Sequence, residues 1–111
     1  MATISNLFVD AGSDYSNIIT VADINGQPID LTGFTVASQM RKSYSSCVAY
    51  NFTATIYIAA DGMVRLQLPA AQSSVIPAGR WLYDVEITSA SGARTRVVEG
   101  IVTITPQITQ I

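Results

Sequence analysis

The chain has 111 residues, 49% hydrophobic and 13% charged, which is one domain with enough apolar mass to bury a core, and this argues against both disorder and a cleft between two lobes. Histidine is absent and cysteine occurs once, at Cys47, which removes imidazole bases and ligands, multi-cysteine zinc sites, Ser-His-Asp and Cys-His machinery and intramolecular disulfides. Six basic against eight acidic residues leave a net charge of -2 and no electrostatic footprint for nucleic acid or anionic lipid. Met1 to Asp10 lacks the basic start and long apolar run of a signal peptide, and no stretch approaches the roughly 18 apolar residues of a membrane helix. Synthesis in a cytoplasm is therefore expected, with no nucleic acid, membrane or cofactor as partner.

Apolar and polar residues alternate with period two almost throughout, between turn signals, which is the pattern of strands packed on one face. After a short apolar piece, Leu7 to Val9, suited to an edge, Tyr15 to Ala22 reads as the first long strand. Asp23, Asn25 and Gly26 predict a hairpin turn, with Asn-Gly supplying two positive-φ positions and Pro28 returning the chain to extended geometry. Asp30, Leu31, Thr32 and Gly33 predict a second bend, in which a short polar side chain accepts backbone N–H groups, Gly33 permits the reversal and Leu31 plugs the core.

Phe34 to Lys42 predicts a strand with Phe34, Val36, Ser38 and Met40 facing in, and Ser43 to Cys47, with Tyr44, a loop. Ala49 to Ala59 alternates Phe52, Ala54, Ile56 and Ile58 against Thr53, Thr55 and Tyr57. Asp61 and Gly62 turn the chain into a strand whose Val64, Leu66 and Leu68 face in and which Pro69 ends. Ala70 to Val75 is the one segment suited to a helical turn, closed by Pro77 and Gly79. Arg80 to Thr88 sets Trp81, Tyr83, Val85 and Ile87 against Leu82, Asp84, Glu86 and Thr88. After a turn at Ser89 to Gly92, Arg94 to Thr105 sets Val98, Val102 and Ile104 against Val97, Glu99, Ile101 and Thr103, with Gly100 marking a bulge or a close contact.

About seven to eight strands without crossover helices predict an all-β, antiparallel β-sandwich of immunoglobulin-like type, a single domain over residues 1–111. Its core is expected at Leu31, Phe34, Val36, Met40, Phe52, Ile56, Leu66, Trp81, Tyr83, Val85 and Val102, and the indole N–H of Trp81 needs a partner there. The short apolar ends, 1–6 and 106–111, are expected to be arms that order on assembly.

The string from Gly12 through Arg41, containing Ile29-Asp30-Leu31-Thr32-Gly33-Phe34-Thr35-Val36 and Met40-Arg41-Lys42, resembles the small Ig-like domains of tailed-bacteriophage virion proteins, among them the N-terminal domain of phage baseplate upper proteins. The likeness continues in Asp61-Gly62, in Pro77-Ala78-Gly79-Arg80-Trp81-Leu82-Tyr83-Asp84-Val85 and in Glu99-Gly100-Ile101-Val102-Thr103-Ile104-Thr105-Pro106, so it covers nearly the whole chain. The resemblance implies a non-enzymatic structural role in a virion as a head decoration, neck, tail or baseplate component. It also implies other virion proteins as partners and a multi-copy or homo-oligomeric, symmetric assembly.

Sharper chemistries are outweighed by plainer ones. Asp23, Asn25 and Asp30 lack the ligand count of a calcium loop and read as turn caps. Asp84 and Glu86 alternate on one strand face and suggest a glycosidase pair, but a face shared with Arg41, Arg65, Arg94 or Arg96 reads as cross-strand charge pairing. Asn51-Phe52-Thr53 matches a glycosylation acceptor, yet Phe52 reads as core. Cys47 has no basic neighbour to activate it and reads as a buried or inert thiol. The residues left over are apolar or aromatic and point outward: Leu82, Ile101, Val97 and Tyr57 on strands, Tyr44 in a loop, and Ile108 and Ile111 in the terminal arm. Such residues call for a second layer from a neighbouring molecule. The alternative is a carbohydrate- or receptor-binding module using Tyr44, Tyr50 and Tyr57 as a stacking platform, for which a glycan array with a Tyr44→Ala control discriminates.

Overall fold

The computed structural model describes residues 3–23, 25–43, 45 and 47–106. These form the strands β1 (Thr3–Ile4), β2 (Leu7–Asp10), β3 (Tyr15–Thr20), β4 (Thr35–Arg41), β5 (Ala49–Ile58), β6 (Met63–Leu68), β7 (Gly79–Thr88) and β8 (Arg94–Thr105), with a single helical turn, α1 (Ala70–Ser73), between β6 and β7. No helix among them is long and apolar enough to cross a membrane.

The protein is all-β, as the alternation requires, and its strands make one curled sheet in the order β1-β8-β7-β4-β5-β6-β3, with β2 following β1 along the same side of β8. The curl is built into β5. Its first half pairs with β4, Phe52 opposite Ser38, and its second half with β6, Thr53 opposite Gln67, so one strand belongs to both limbs. The sheet is mixed rather than antiparallel throughout: Thr3 pairs with Val98 and Leu7 with Val102 in parallel. Alternation shows which face a residue takes but not which way its strand runs, and the crossover that parallel strands need is here all the intervening chain.

The two limbs close over one core. Trp81, Tyr83, Val85 and Ile87 of β7 meet Val64, Leu66 and Leu68 of β6, with Met40, Phe52, Val98, Val102 and Ile104 between them and Leu31 beneath. Of the expected core, Phe34, Val36 and Ile56 sit half-buried at its margin and the other eight are buried. Phe52 spans the limbs, its ring centroid 6.2 Å from Tyr15 and 6.0 Å from Tyr83. Polar groups at the core are satisfied: Ser38 Oγ donates to Asp84 O (2.6 Å), and Trp81 Nε1 donates to Pro77 O (3.0 Å).

The turns follow from their side chains. Asp30 Oδ1 accepts from Thr32 N (3.0 Å) and Thr32 Oγ1 (2.6 Å), which holds the carboxyl below its ordinary pKa, while Gly33 takes φ 83°. Asp23 Oδ1 accepts from Asn25 N and Gln27 N. In that turn Gly26 has positive φ and Asn25 does not, so the expected two-residue mirror-image turn is replaced by a longer one with glycine in the left-handed position. Gly62, after Asp61, has φ 66°, and Gly79, where β7 begins, has φ 128°.

Two bulges change faces that strict alternation assigned. One lies between Ile56 and Ile58 and turns Ile58 outward, where it is 40% exposed rather than facing in. The other is in β8, where Val98 pairs with Val85 but Arg96, not Val97, pairs with Glu86. Val97 is thereby drawn half-buried against the core and Arg96 is put on the outer face. Gly100, the position expected to mark a bulge or a close contact, is a close contact. Further corrections concern side chains: Cys47 is exposed, and Tyr50 is half-buried, edge-on to Trp81 at 5.3 Å. Residues 3–6 are no free arm in the isolated chain, because Thr3 and Ile4 already pair with β8; Pro106 is exposed, and 107–111 lie outside the described residues.

Candidate interaction face

The N-terminal segment is seated by one glycine. Ser5 N donates to Glu99 O (2.9 Å), Ile101 N donates to Asn6 Oδ1 (3.1 Å), and Tyr83 OH donates to Ser5 O. The Ser5 carbonyl crosses so close over Gly100 that a Cβ there would lie 2.2 Å from its oxygen. The kink at Ser5 and Asn6 thus sits in the space left by the missing side chain. Beyond it, Leu7 and Val9 turn into the core and Phe8 must turn out.

The outcome is an apolar row on the outer side of the sheet. Ile4 is 73% exposed and Phe8 71%, both on the edge strands, and Ile101 is 37% exposed on β8, directly opposite half-buried Leu82 on β7. Leu82 and Ile101, expected as interface residues, are therefore brought together. Tyr57 is not with them: it lies 47% exposed where β5 pairs with β6, beneath the Arg65 guanidinium at 4.5 Å. Tyr44, Ile108 and Ile111 lie outside the described residues. Ile4 and Phe8 were missed by sequence reasoning, although Phe8 was legible as the residue between two core positions of the Leu7 to Val9 piece.

Beside the apolar row, the same face carries Asp84, Glu86, Glu99, Arg96, Gln39 and Arg41 around a shallow concavity. Asp84 and Glu99 are direct cross-strand partners, an arrangement of like charges that costs stability unless a cation intervenes. The bulge supplies it: Arg96 Nε lies 3.3 Å from Asp84 and Arg96 Nη1 3.2 Å from Glu99. Arg41 lies on the neighbouring strand, with Nη2 donating to Gln39 Oε1 (3.2 Å). Even so, the Asp84 carboxyl is held above its ordinary pKa, by desolvation first and then by Glu86, with Glu99 adding to the rise and Arg96 and Arg41 opposing it.

A folded-state pKa above the unfolded value means that the native protein binds this proton more tightly. The stability linked to it is complete below the ordinary carboxylate range and is lost as pH rises through the raised value. Asp84→Asn is accordingly expected to be more stable than the natural chain at pH 7, with the gain vanishing below about pH 3. Urea unfolding at the two pH values measures the difference, and an equal gain at both would show that charge is not its source.

No family model and no curated protein matches the sequence. Among solved structures, the chain is similar to an internalin-like protein of Listeria monocytogenes at 15% identity and TM-score 0.49, over 94% of this chain and 28% of that one. It is also similar to a family 123 glycoside hydrolase from Clostridium perfringens at 9% identity and TM-score 0.42, over 97% of this chain and 24% of that one. The chain thus spans about a quarter of the length of either protein, and likeness at this level carries no weight on function.

Proposed function

We propose that the protein is a non-enzymatic structural component of a tailed-phage virion, an immunoglobulin-like sandwich that joins a head, neck, tail or baseplate assembly through the outer face of β1, β2, β8 and β7. In support of the immunoglobulin-like description, β8-β7-β4 on one limb and β3-β6-β5 on the other reproduce the G-F-C and B-E-D adjacencies of such domains, and the parallel N-terminal strand is an addition at one edge. The observation that carries the functional reading is the row Ile4, Phe8, Ile101 and Leu82. Two of its members are more than two-thirds exposed on an edge strand, a position that favours burial against another protein. The residue order, which resembles that of phage Ig-like domains, favours virion proteins as that partner.

The test is quantitative mass spectrometry of purified phage particles carrying the natural chain, Phe8→Asp or Ile101→Asp. Many copies per particle are expected for the natural chain. A drop of about tenfold is expected for either variant, which removes an apolar anchor without touching the core. Absence of the natural chain from particles, or undiminished incorporation of both soluble variants, would overturn the reading.

A further inference from the structure

The opposite edge of the sheet is β3, and its hydrogen-bonding state follows from one contact. Val21 N donates to Gly62 O (2.8 Å), and these residues are direct partners in the extension of the β3–β6 ladder, in which Thr20 pairs with Met63. In an antiparallel ladder, bonded and non-bonded pairs alternate. Residues 19, 17 and 15 therefore bond to β6, while the N–H and C=O groups of Ser16, Ile18 and Thr20 point away from the sheet.

Natural edges are usually blunted by charge, proline, a bulge or a break in the strand. The six residues of β3, Tyr15-Ser16-Asn17-Ile18-Ile19-Thr20, contain no charge and no proline, and their register with β6 runs without a shift. The edge at β1 and β2, by contrast, is interrupted at Ser5 and Asn6 and carries Asp10. At the centre of β3 stands Ile18, 44% exposed.

We propose that β3 pairs antiparallel with β3 of a second copy of this chain, about a two-fold axis through Ile18, joining the two sheets into one. In this register Ile18 meets its own copy and Ser16 meets the copy's Thr20. All three positions are of the outward-bonding kind, so the pairing forms about six main-chain hydrogen bonds. The exposed row stays on one face and the half-buried row of Asn17 and Ile19 stays on the other, as the pleat demands.

A second copy is favoured over a charged peptide because the edge offers no charge to pair with. Within the paired strands Tyr15–Thr20, two copies also bring no like charges together. The nearest cation, Arg65, is one strand in, drawn toward Tyr57, so the two guanidinium groups are separated by three strand spacings, roughly 14 Å and more than a Debye length. A symmetric, closed pairing of this kind is isologous and stops at two copies. It does not depend on the virion reading, because it uses a different edge from the Ile4 and Phe8 row.

Analytical ultracentrifugation of the full chain tests it. The natural chain is expected to show a reversible monomer–dimer equilibrium between roughly 10 μM and 1 mM, the range of a small interface. Ile18→Lys, which sets two cations on the axis, is expected to raise the dissociation constant by about tenfold or more, with an unchanged circular-dichroism spectrum because the side chain is outside the core. Phe8→Asp is expected to leave it unchanged. Ile18→Cys in a Cys47→Ser background is expected to form a covalent dimer on mild oxidation, since bonded antiparallel partners have Cα atoms about 5.5 Å apart. A monomer at 1 mM would overturn the proposal. A dimer abolished by Phe8→Asp and untouched by Ile18→Lys would overturn it too and place association at the other edge.

Discussion

Gly100→Ala is expected to lower the unfolding free energy by about 2–3 kcal/mol, although it adds a single methyl group to a strand where alanine is ordinarily harmless. The reason is local and steric. The new Cβ would lie 2.2 Å from Ser5 O, 2.9 Å from Ser5 C and 3.0 Å from Asn6 Oδ1, and two of these atoms are backbone that cannot swing aside. Relief requires β1 and the kink to lift from β8. That loosens the main-chain bond from Ser5 to Glu99, the bond from Ile101 N to the Asn6 side chain and the hydroxyl contact from Tyr83, and strains the burial of Leu7 and Val9. Urea unfolding gives the loss, and limited proteolysis is expected to cut first within residues 3–10. Tyr83→Phe alone should cost about 1 kcal/mol, the worth of one hydrogen bond. In the Gly100→Ala background it should cost nearly nothing, because the contact has already gone. Full additivity would mean that Tyr83 acts on something other than the N-terminal segment.

Phe52→Ala is expected to cost about 3–5 kcal/mol, enough to exhaust much of the stability of a domain of this size. Phe52 is 4% exposed and is the last residue of β5 paired with β4 before the strand passes to β6. Its ring touches Tyr15 from one limb and Tyr83 from the other, so its removal opens a cavity at the point where the sheet curls. The neighbours cannot close this cavity without unbending β5. A shift in denaturant midpoint at constant slope is the expected signature, whereas an altered slope would indicate that the limbs come apart separately.

The core and the turns were legible because each rests on a local rule. Period-two alternation assigned Trp81, Tyr83, Val85, Leu66 and Met40 to one interior, and the Asp30 to Gly33 bend could be read from the reach of a short carboxylate and the freedom of a glycine. The face of the candidate site was legible in part. Leu82 and Ile101 were singled out as apolar residues on outward positions, but they become neighbours of Ile4 and Phe8 only because β1 and β2 lie parallel to β8, a pairing across nearly the whole chain. Cross-strand charge pairing was expected of Arg96 as one of several arginines. That it bridges Asp84 and Glu99 in particular depends on a one-residue bulge that reverses its side, and nothing in the local pattern of Arg94 to Val98 marks that residue as the extra one.

What the amino-acid order alone determined is the strands after the first, the inward or outward sense of most side chains and the positions of the principal turns, which depend on contacts a few residues long, together with the absence of histidine-based chemistry, which follows from composition. Only the tertiary structure decided that the sheet is mixed and curled, that Gly100 is where Ser5 crosses, that Tyr57 stands apart from Leu82 and Ile101, and that β3 is left as an unguarded edge. These depend on strand direction, register and which strand lies outermost. Alternation is identical for parallel and antiparallel neighbours and for edge and interior strands, so those choices are made by long-range packing, when the two limbs close over a shared core.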